Sequence, residues 1–243
     1  MKKLDKHLKG HKYICFMDFE GTQFSHEMIG LGAVLASINP RTGRIKKSKK
    51  PLHILVKAKN KIGKYVVELT GITEEELKKS GVSFNDAMNQ LKRYCGMYFK
   101  KASFMTFGSH DMRILSQSII YNLEYPKDIC SQIQKNFIDF SALISEFIKD
   151  PLGNPLSLIH YCELFDVKEA GPAHDPAIDS VNLMNLYDAF LDRKDLVLEQ
   201  YKLVLQKLNS HTPLPVAEAI QKLASGKDVT AKEFEESLKQ YLE

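Results

Sequence analysis

Two carboxylates, Asp18 and Glu20, break an otherwise apolar run that begins at Tyr13. On a strand, residues two apart share a face. The pair therefore projects from one side of the strand's C-terminal end, where open α/β sheets expose their crevice. Burying two such groups is costly unless something positive lies between them. A hard divalent cation meets that need, since Mg2+ prefers oxygen ligands and keeps waters that a phosphate can displace. The plainer alternative is a polar strand end facing water. Asp111 follows a short apolar strand at 104–107 and falls in the first turn of the next helix, where the helix dipole alone favours an acid. Asp179 lies one turn into a helix that begins at Pro176, and His174 stands just before that helix. Both can face the end of a sheet from one short segment, although a surface histidine is the ordinary alternative for His174.

The elements that would position these groups follow from the apolar pattern. Residues 13–20 are apolar on both faces, as in a buried central strand. A second strand runs over 28–38 and ends at Asn39-Pro40-Arg41-Thr42-Gly43, a turn by its Pro and Gly. A third passes through Leu52, Ile54 and Val56. Their connections are too short for helical crossovers, so they form an antiparallel meander. Helical patterns follow. Thr73 with Glu76 forms a capping box, and Ser83 caps a helix bearing Ala87, Met88, Leu91, Tyr94 and Cys95. Strands at 104–107 and 136–140 alternate with helices over about 142–148 and 156–165. Asp175-Pro176, an N-cap followed by proline at the first helical position, opens a helix to about Leu191. Beyond Arg193 only helical patterns occur, broken by Pro213, Pro215 and Gly226. The class is α/β with a mixed sheet. The expected organisation is a basic N-terminal tail over 1–11, a catalytic domain over 12–193 and a helical C-terminal extension over 194–243.

Composition bounds the rest. Of 243 residues, 44% are hydrophobic and 26% charged, which argues against wholesale disorder. A net charge of +4 suits a polyanionic partner without requiring one. Cys15, Cys95, Cys130 and Cys162 are widely spaced, with no zinc-like pair, so a disulfide framework is not expected and a reducing, cytoplasmic setting is. No run is long enough for a membrane span. The basic stretch Arg44, Lys46, Lys47, Lys49 and Lys50 reads either as a track for phosphates or as a solvated edge that discourages strand pairing.

The ordered motifs D-F-E-G-T at 18–22, T-F-G-S-H-D at 106–111 and H-D-P-A-I-D at 174–179 resemble the DEDD superfamily of 3′–5′ exonucleases. They match its DEDDh branch, in which a histidine precedes the last aspartate by five residues. I-G-L-G-A-V-L at 29–35 and E-L-T-G-I-T at 68–73 are similar to segments of that branch. With G-S-x-D at 108–111, they look closest to the ERI-1-like and KapD-like exonucleases. The resemblance covers residues 12–192. In many relatives a glutamate stands at the position of Gly30 and an aromatic residue at that of His110.

The resemblance implies a ribonuclease H-like fold with a mixed five-stranded sheet flanked by helices. It implies that Asp18, Glu20, Asp111 and Asp179 ligate two divalent ions, Mg2+ or Mn2+, and that His174 accepts the proton of the attacking water. Thr22, Leu69, Thr70 and His110 match positions near the terminal nucleotide. The implied partner is the 3′ end of a single-stranded nucleic acid, with RNA favoured over DNA, and the products are nucleoside 5′-monophosphates. The alternative is a KapD-like regulatory protein, of the kind that acts in sporulation control, using the scaffold chiefly for binding.

Overall fold

The computed structural model describes residues 8, 10–172, 174–207 and 212–242; residues 1–7 and 9 of the basic N-terminal tail lie outside the described residues. Strand β1 (Tyr13–Gly21) runs antiparallel to β2 (Met28–Ile38) along nearly its whole length, with Asp18 opposite Gly32 and Glu20 opposite Gly30. Strands β3 (Ile45–Ser48) and β4 (Leu52–Leu55) both pair antiparallel with β2, at its far and near ends respectively. Strand β5 (Ala102–Thr106) lies parallel to β1, and β6 (Phe137–Asp139) parallel to β5. The sheet thus has order β3-β2-β1-β5-β6, with β4 also on β2.

Six strands form where five were expected, and the extra one is β3. Its sequence, Ile45-Lys46-Lys47-Ser48, carries no apolar alternation, but β2 is eleven residues long and has room for a second short partner beyond β4. The turn before it is held by Asn39, whose Oδ1 accepts from the Arg41 amide at 2.9 Å, and by Gly43 at φ 75°.

Helices α1 (Lys64–Thr70), α2 (Glu74–Ser80) and α3 (Phe84–Cys95) follow. Thr73 and Ser83 cap α2 and α3, accepting from the amides of Glu76 and Asp86. Helices α4 (His110–Tyr121) and α5 (Lys127–Lys135) connect β5 to β6 in the chain, and a short α6 (Phe140–Ile144) follows β6. Then come α7 (Leu158–Leu164) and α8 (Pro176–Asp192). The largest core joins β1, β2 and β5 to α3, α4 and α5 through Met17, Leu31, Met88, Leu91, Phe104 and Leu115. All four cysteines are buried and free.

The chain divides into two compact units, Met1–Ala142 with Ser157–Asp192, and Leu143–Leu156 with Arg193–Glu243. The second comprises the 143–156 segment with α9 (Lys194–Leu205), α10 (Leu214–Ala224) and α11 (Ala231–Leu242), so it recruits a stretch of chain from before α7. Phe147 meets Tyr201 edge to face there, and Lys207 Nζ donates to the Pro151 carbonyl at 2.8 Å. Among the described residues no helix is long and apolar enough to cross a membrane.

Candidate active site

Two glycines build the notch in which the site forms. Because Gly30 and Gly32 lie directly opposite Glu20 and Asp18, the sheet face beside the carboxylates is bare of side chains. The start of α8 fills it. A Cβ at Gly32 would fall 1.8 Å from the Pro176 carbonyl oxygen, and one at Gly30 would fall 3.3 Å from Pro176 Cγ. Asp175 caps the helix as expected, its Oδ1 accepting from the Ala177 amide at 2.9 Å. At the other end Arg44 Nε and Nη2 each donate to the Asp188 carboxylate at 2.8 Å. Arg44 also pairs with Asp192, and Tyr187 donates to the Gly43 carbonyl. Arg44 is therefore a clamp on α8. Of its basic neighbours, Lys49 lies over the Tyr94 ring.

This seating delivers the histidine segment to the strand end. Glu20, His174 and Asp179 each offer a ligand atom within 4.8 Å of the other two. His174 occupies the left-handed region at φ 64°, a conformation costly for a residue with a Cβ. Its amide donates to Asp179 Oδ2 at 3.0 Å, tying backbone to carboxylate, while Asn182 Nδ2 reaches Asp179 Oδ1 at 3.4 Å. On the other side, pairing of β1 with β5 ends at Phe16, and Asp111 takes up the exposed backbone beyond it: the Phe19 amide donates to Asp111 Oδ1 at 2.8 Å. Asp111 is buried; Asp18, Glu20 and Asp179 are partly so.

The acids repel one another. Burial, then the charges of Asp179, Asp111 and Asp175, push the Glu20 carboxyl up to about 8. Burial, then Asp111, Glu20, Asp179 and Asp175, holds Asp18 well above the ordinary carboxylate range. Burial also raises Asp111 and Asp179, against the hydrogen bonds from Phe19 and His174. The charges that act on Asp18 and Glu20 are other carboxylates, a repulsion that a bound cation would relieve. The carboxylates offer the hard oxygen donors that a divalent cation favours, with the His174 imidazole beside them.

The residues expected near the terminal nucleotide divide. Leu69 is 39% exposed and His110 is exposed. Thr22 is buried, its hydroxyl engaged with Ser25 and with the Glu27 amide and its own amide with the Glu27 carbonyl. The Thr70 hydroxyl donates to the Val66 carbonyl. Sequence reasoning missed Asp175 as a fifth nearby charge, and Glu27. The latter is buried and accepts from the Lys59 and Asn60 amides, which brace the loop after β1.

A mixed sheet flanked by helices, with the site at the end of its central strand, defines the ribonuclease H-like exonuclease fold. The chain belongs to the exonuclease family RNase_T, whose model matches residues 15–187 and so spans the cluster of Glu20, His174 and Asp179 together with Asp18 and Asp111. Solved structures share the fold. The nuclease domain of 3'hExo, a DEDDh family member bound to rAMP, is 23% identical with TM-score 0.58, over 75% of this chain and 92% of that one. S. pombe Pop2p, in its Mg2+- and Mn2+-bound form, is 14% identical with TM-score 0.55, over 81% and 89%. E. coli exonuclease I in complex with a dA16 oligonucleotide is 15% identical with TM-score 0.57, over 81% of this chain and 44% of that one. No curated protein sequence matches the chain.

Proposed function

We propose that the chain is a metal-dependent 3′–5′ exonuclease of the DEDDh branch. The observation that carries this reading is the convergence of Glu20, His174 and Asp179 within 4.8 Å from segments more than 150 residues apart. Asp18, Glu20, Asp111 and Asp179 would hold two divalent ions, Mg2+ or Mn2+. Bound there, the ions supply charge stabilisation to the attacking and leaving oxygens of an in-line displacement.

The chain's own part is positioning and proton transfer. His174, projected from a strained backbone beside Glu20 and Asp179, takes the proton of the attacking water as its oxygen bonds to phosphorus. The bond from phosphorus to the 3′ oxygen breaks and that oxygen takes a proton from solvent water, giving a nucleoside 5′-monophosphate and a strand shortened by one residue that ends in a 3′ hydroxyl. Leu69, exposed on α1, offers an apolar face to the terminal base. Catalysis is assigned to residues 12–193, which hold every residue named.

The substrate in this reading is a single-stranded 3′ end. RNA is favoured over DNA by the ERI-1-like and KapD-like character of the motifs. One solved structure of similar fold is a 3′-exonuclease in 3′-end-specific recognition of a histone mRNA stem-loop. The four free, buried cysteines suit a reducing, cytoplasmic compartment. Retention of all five positions favours catalysis over a scaffold used only for binding. The test is a 5′-labelled RNA strand and its DNA counterpart, each with Mg2+ or Mn2+. The expected result is stepwise shortening from the 3′ end, faster on RNA and stopped by EDTA. Internal cutting, or shortening that persists in EDTA, would refute the reading.

A further inference from the structure

Lysines gather at the end of the sheet opposite the acid cluster. The strand registers put Lys47, Ser37, Tyr13 and Ala102 in one row across β3, β2, β1 and β5. Lys46 precedes Lys47 on β3. Lys12 and Lys101 stand just outside the row, each immediately before its strand, and Lys100 and Lys101 close the 3-10 turn (Gly96–Lys101) that leads into β5. The backbones are pinned there: the Ile38 amide donates to the Lys12 carbonyl at 3.0 Å, and Gln132 Nε2 to the Lys100 carbonyl at 3.2 Å. All five lysines are exposed. The row spans about 14 Å from β3 to β5, and β1 carries it about 23 Å away from Glu20.

Little at this end cancels the charge. No aspartate or glutamate occurs in residues 10–17, 28–67, 87–110 or 129–138, the stretches that build it. Helix α8 brings Asp188 and Asp192, and Arg44 engages both. Among the described residues none of the five lysines pairs with a carboxylate, whereas Lys64, Lys92, Lys232 and Lys239 each do. Protection of an open sheet edge accounts for Lys46 and Lys47 on β3. It does not account for Lys12, Lys100 and Lys101, which lead into the interior strands β1 and β5. A row of uncompensated ammonium groups attracts a polyanion and releases its counterions.

We propose that this basic end is a second contact for nucleic acid, holding the phosphate backbone of a strand far upstream of the 3′ end being shortened. The choice of nucleic acid among polyanions rests on the exonuclease reading above. The contact adds to that reading a substrate class: strands long enough to reach both ends of the sheet. It is read through charge alone, so it favours length and low salt over any base sequence.

Fluorescence anisotropy of a labelled RNA of about 30 nucleotides, read in EDTA across a salt series, isolates this contact. Without a cation the opposite end is a group of carboxylates that repels phosphate. The natural chain should bind. Lys12→Gln, Lys47→Gln and Lys101→Gln together should flatten the slope of log Kd against log salt by about 2, at about 0.7 per lysine on a single strand. These side chains are exposed, so the fold persists and the melting temperature should hold. Lys64→Gln, Lys232→Gln and Lys239→Gln together, at ion-paired lysines elsewhere, should leave the slope unmoved. With Mg2+, the first triple variant should lose about fivefold or more in kcat/KM on the long RNA and nothing on a dinucleotide, which is too short to reach both ends. Absence of binding in EDTA, an unchanged slope in the first variant, an equal fall in the second, or capture of phosphatidylserine vesicles but not RNA would overturn the contact and leave the exonuclease reading standing. If binding follows the prediction and the natural chain hydrolyses neither substrate, the contact stands and the exonuclease reading falls.

Discussion

Asp111 and His174, delivered by different elements, are held in place by different forces. Asp111 is fixed by the sheet: it is buried, and its carboxylate closes on the Phe19 amide where strand pairing stops. His174 is fixed by local geometry on the seat of a helix. Its backbone sits at φ 64°, its amide is tied to Asp179, and α8 reaches it only because Gly30 and Gly32 leave room. The strand half thus inherits its precision from the core, whereas the helix half depends on a few short-range contacts. Such strain is what a site stores when surrounding structure over-determines it.

The largest effect expected on the helix half is chemical. His174→Ala should lower turnover roughly 10²–10⁴-fold, the range for a positioned general base. His174→Asn separates chemistry from geometry, because asparagine tolerates the left-handed conformation. It should fall as far as the alanine variant while keeping the native melting temperature. Recovery of turnover by Asn would mean that the backbone, not the imidazole, matters.

Next comes the notch. Gly32→Ala forces a methyl into the Pro176 carbonyl and should cost about 3 kcal/mol of stability in denaturant unfolding, at the upper end for overpacking. Gly30→Ala meets its neighbours at 3.2 Å or more and should cost less. Equal losses at the two positions would show that α8 does not rest on Gly32. A smaller effect, about 1 kcal/mol, is expected from Arg44→Ala, which releases the far end of α8 through a partly exposed ion pair. It should leave turnover within a few-fold of the original, since His174 lies at the other end of the helix.

These differences match what the sequence does and does not reveal. Asp18 and Glu20 were legible because two charges in an apolar strand break its pattern, and the start of α8 because Asp-Pro has a local meaning. Helix α1 was not legible: seven residues with Val66 and Val67 between Gly63 and Gly71 carry no helical period. Nor was β3, whose register is dictated by the length of β2. The role of Arg44 depends on Asp188, 144 residues away, and that of Glu27 on amides 32 residues away. Neither pairing leaves a local trace, so a basic run read as an edge or a phosphate track conceals a clamp.

The subtlest expected effect joins both halves. With no cation bound, the folded chain keeps a proton on Glu20 up to about pH 8, whereas the unfolded chain loses it near the ordinary carboxylate pKa. Between those values the native state binds more protons than the unfolded one, so stability falls as pH rises from about 5 to about 8. Melting temperature in EDTA should decline across that window, and Mn2+ should remove the decline. A flat profile in EDTA would mean that burial and the neighbouring acids do not raise the Glu20 carboxyl in the folded chain.

The central claim is that strand half and helix half form one cation site, and calorimetric titration of Mn2+ tests it most directly. Asp18→Asn alters the strand half and Asp179→Asn the helix half, each removing a charge while keeping volume. Tight Mn2+ binding by the original chain, weakened severely by either substitution, is the predicted result. Mn2+ binding that survives unchanged in either variant would contradict the claim, because that half would then have no part in holding the ion.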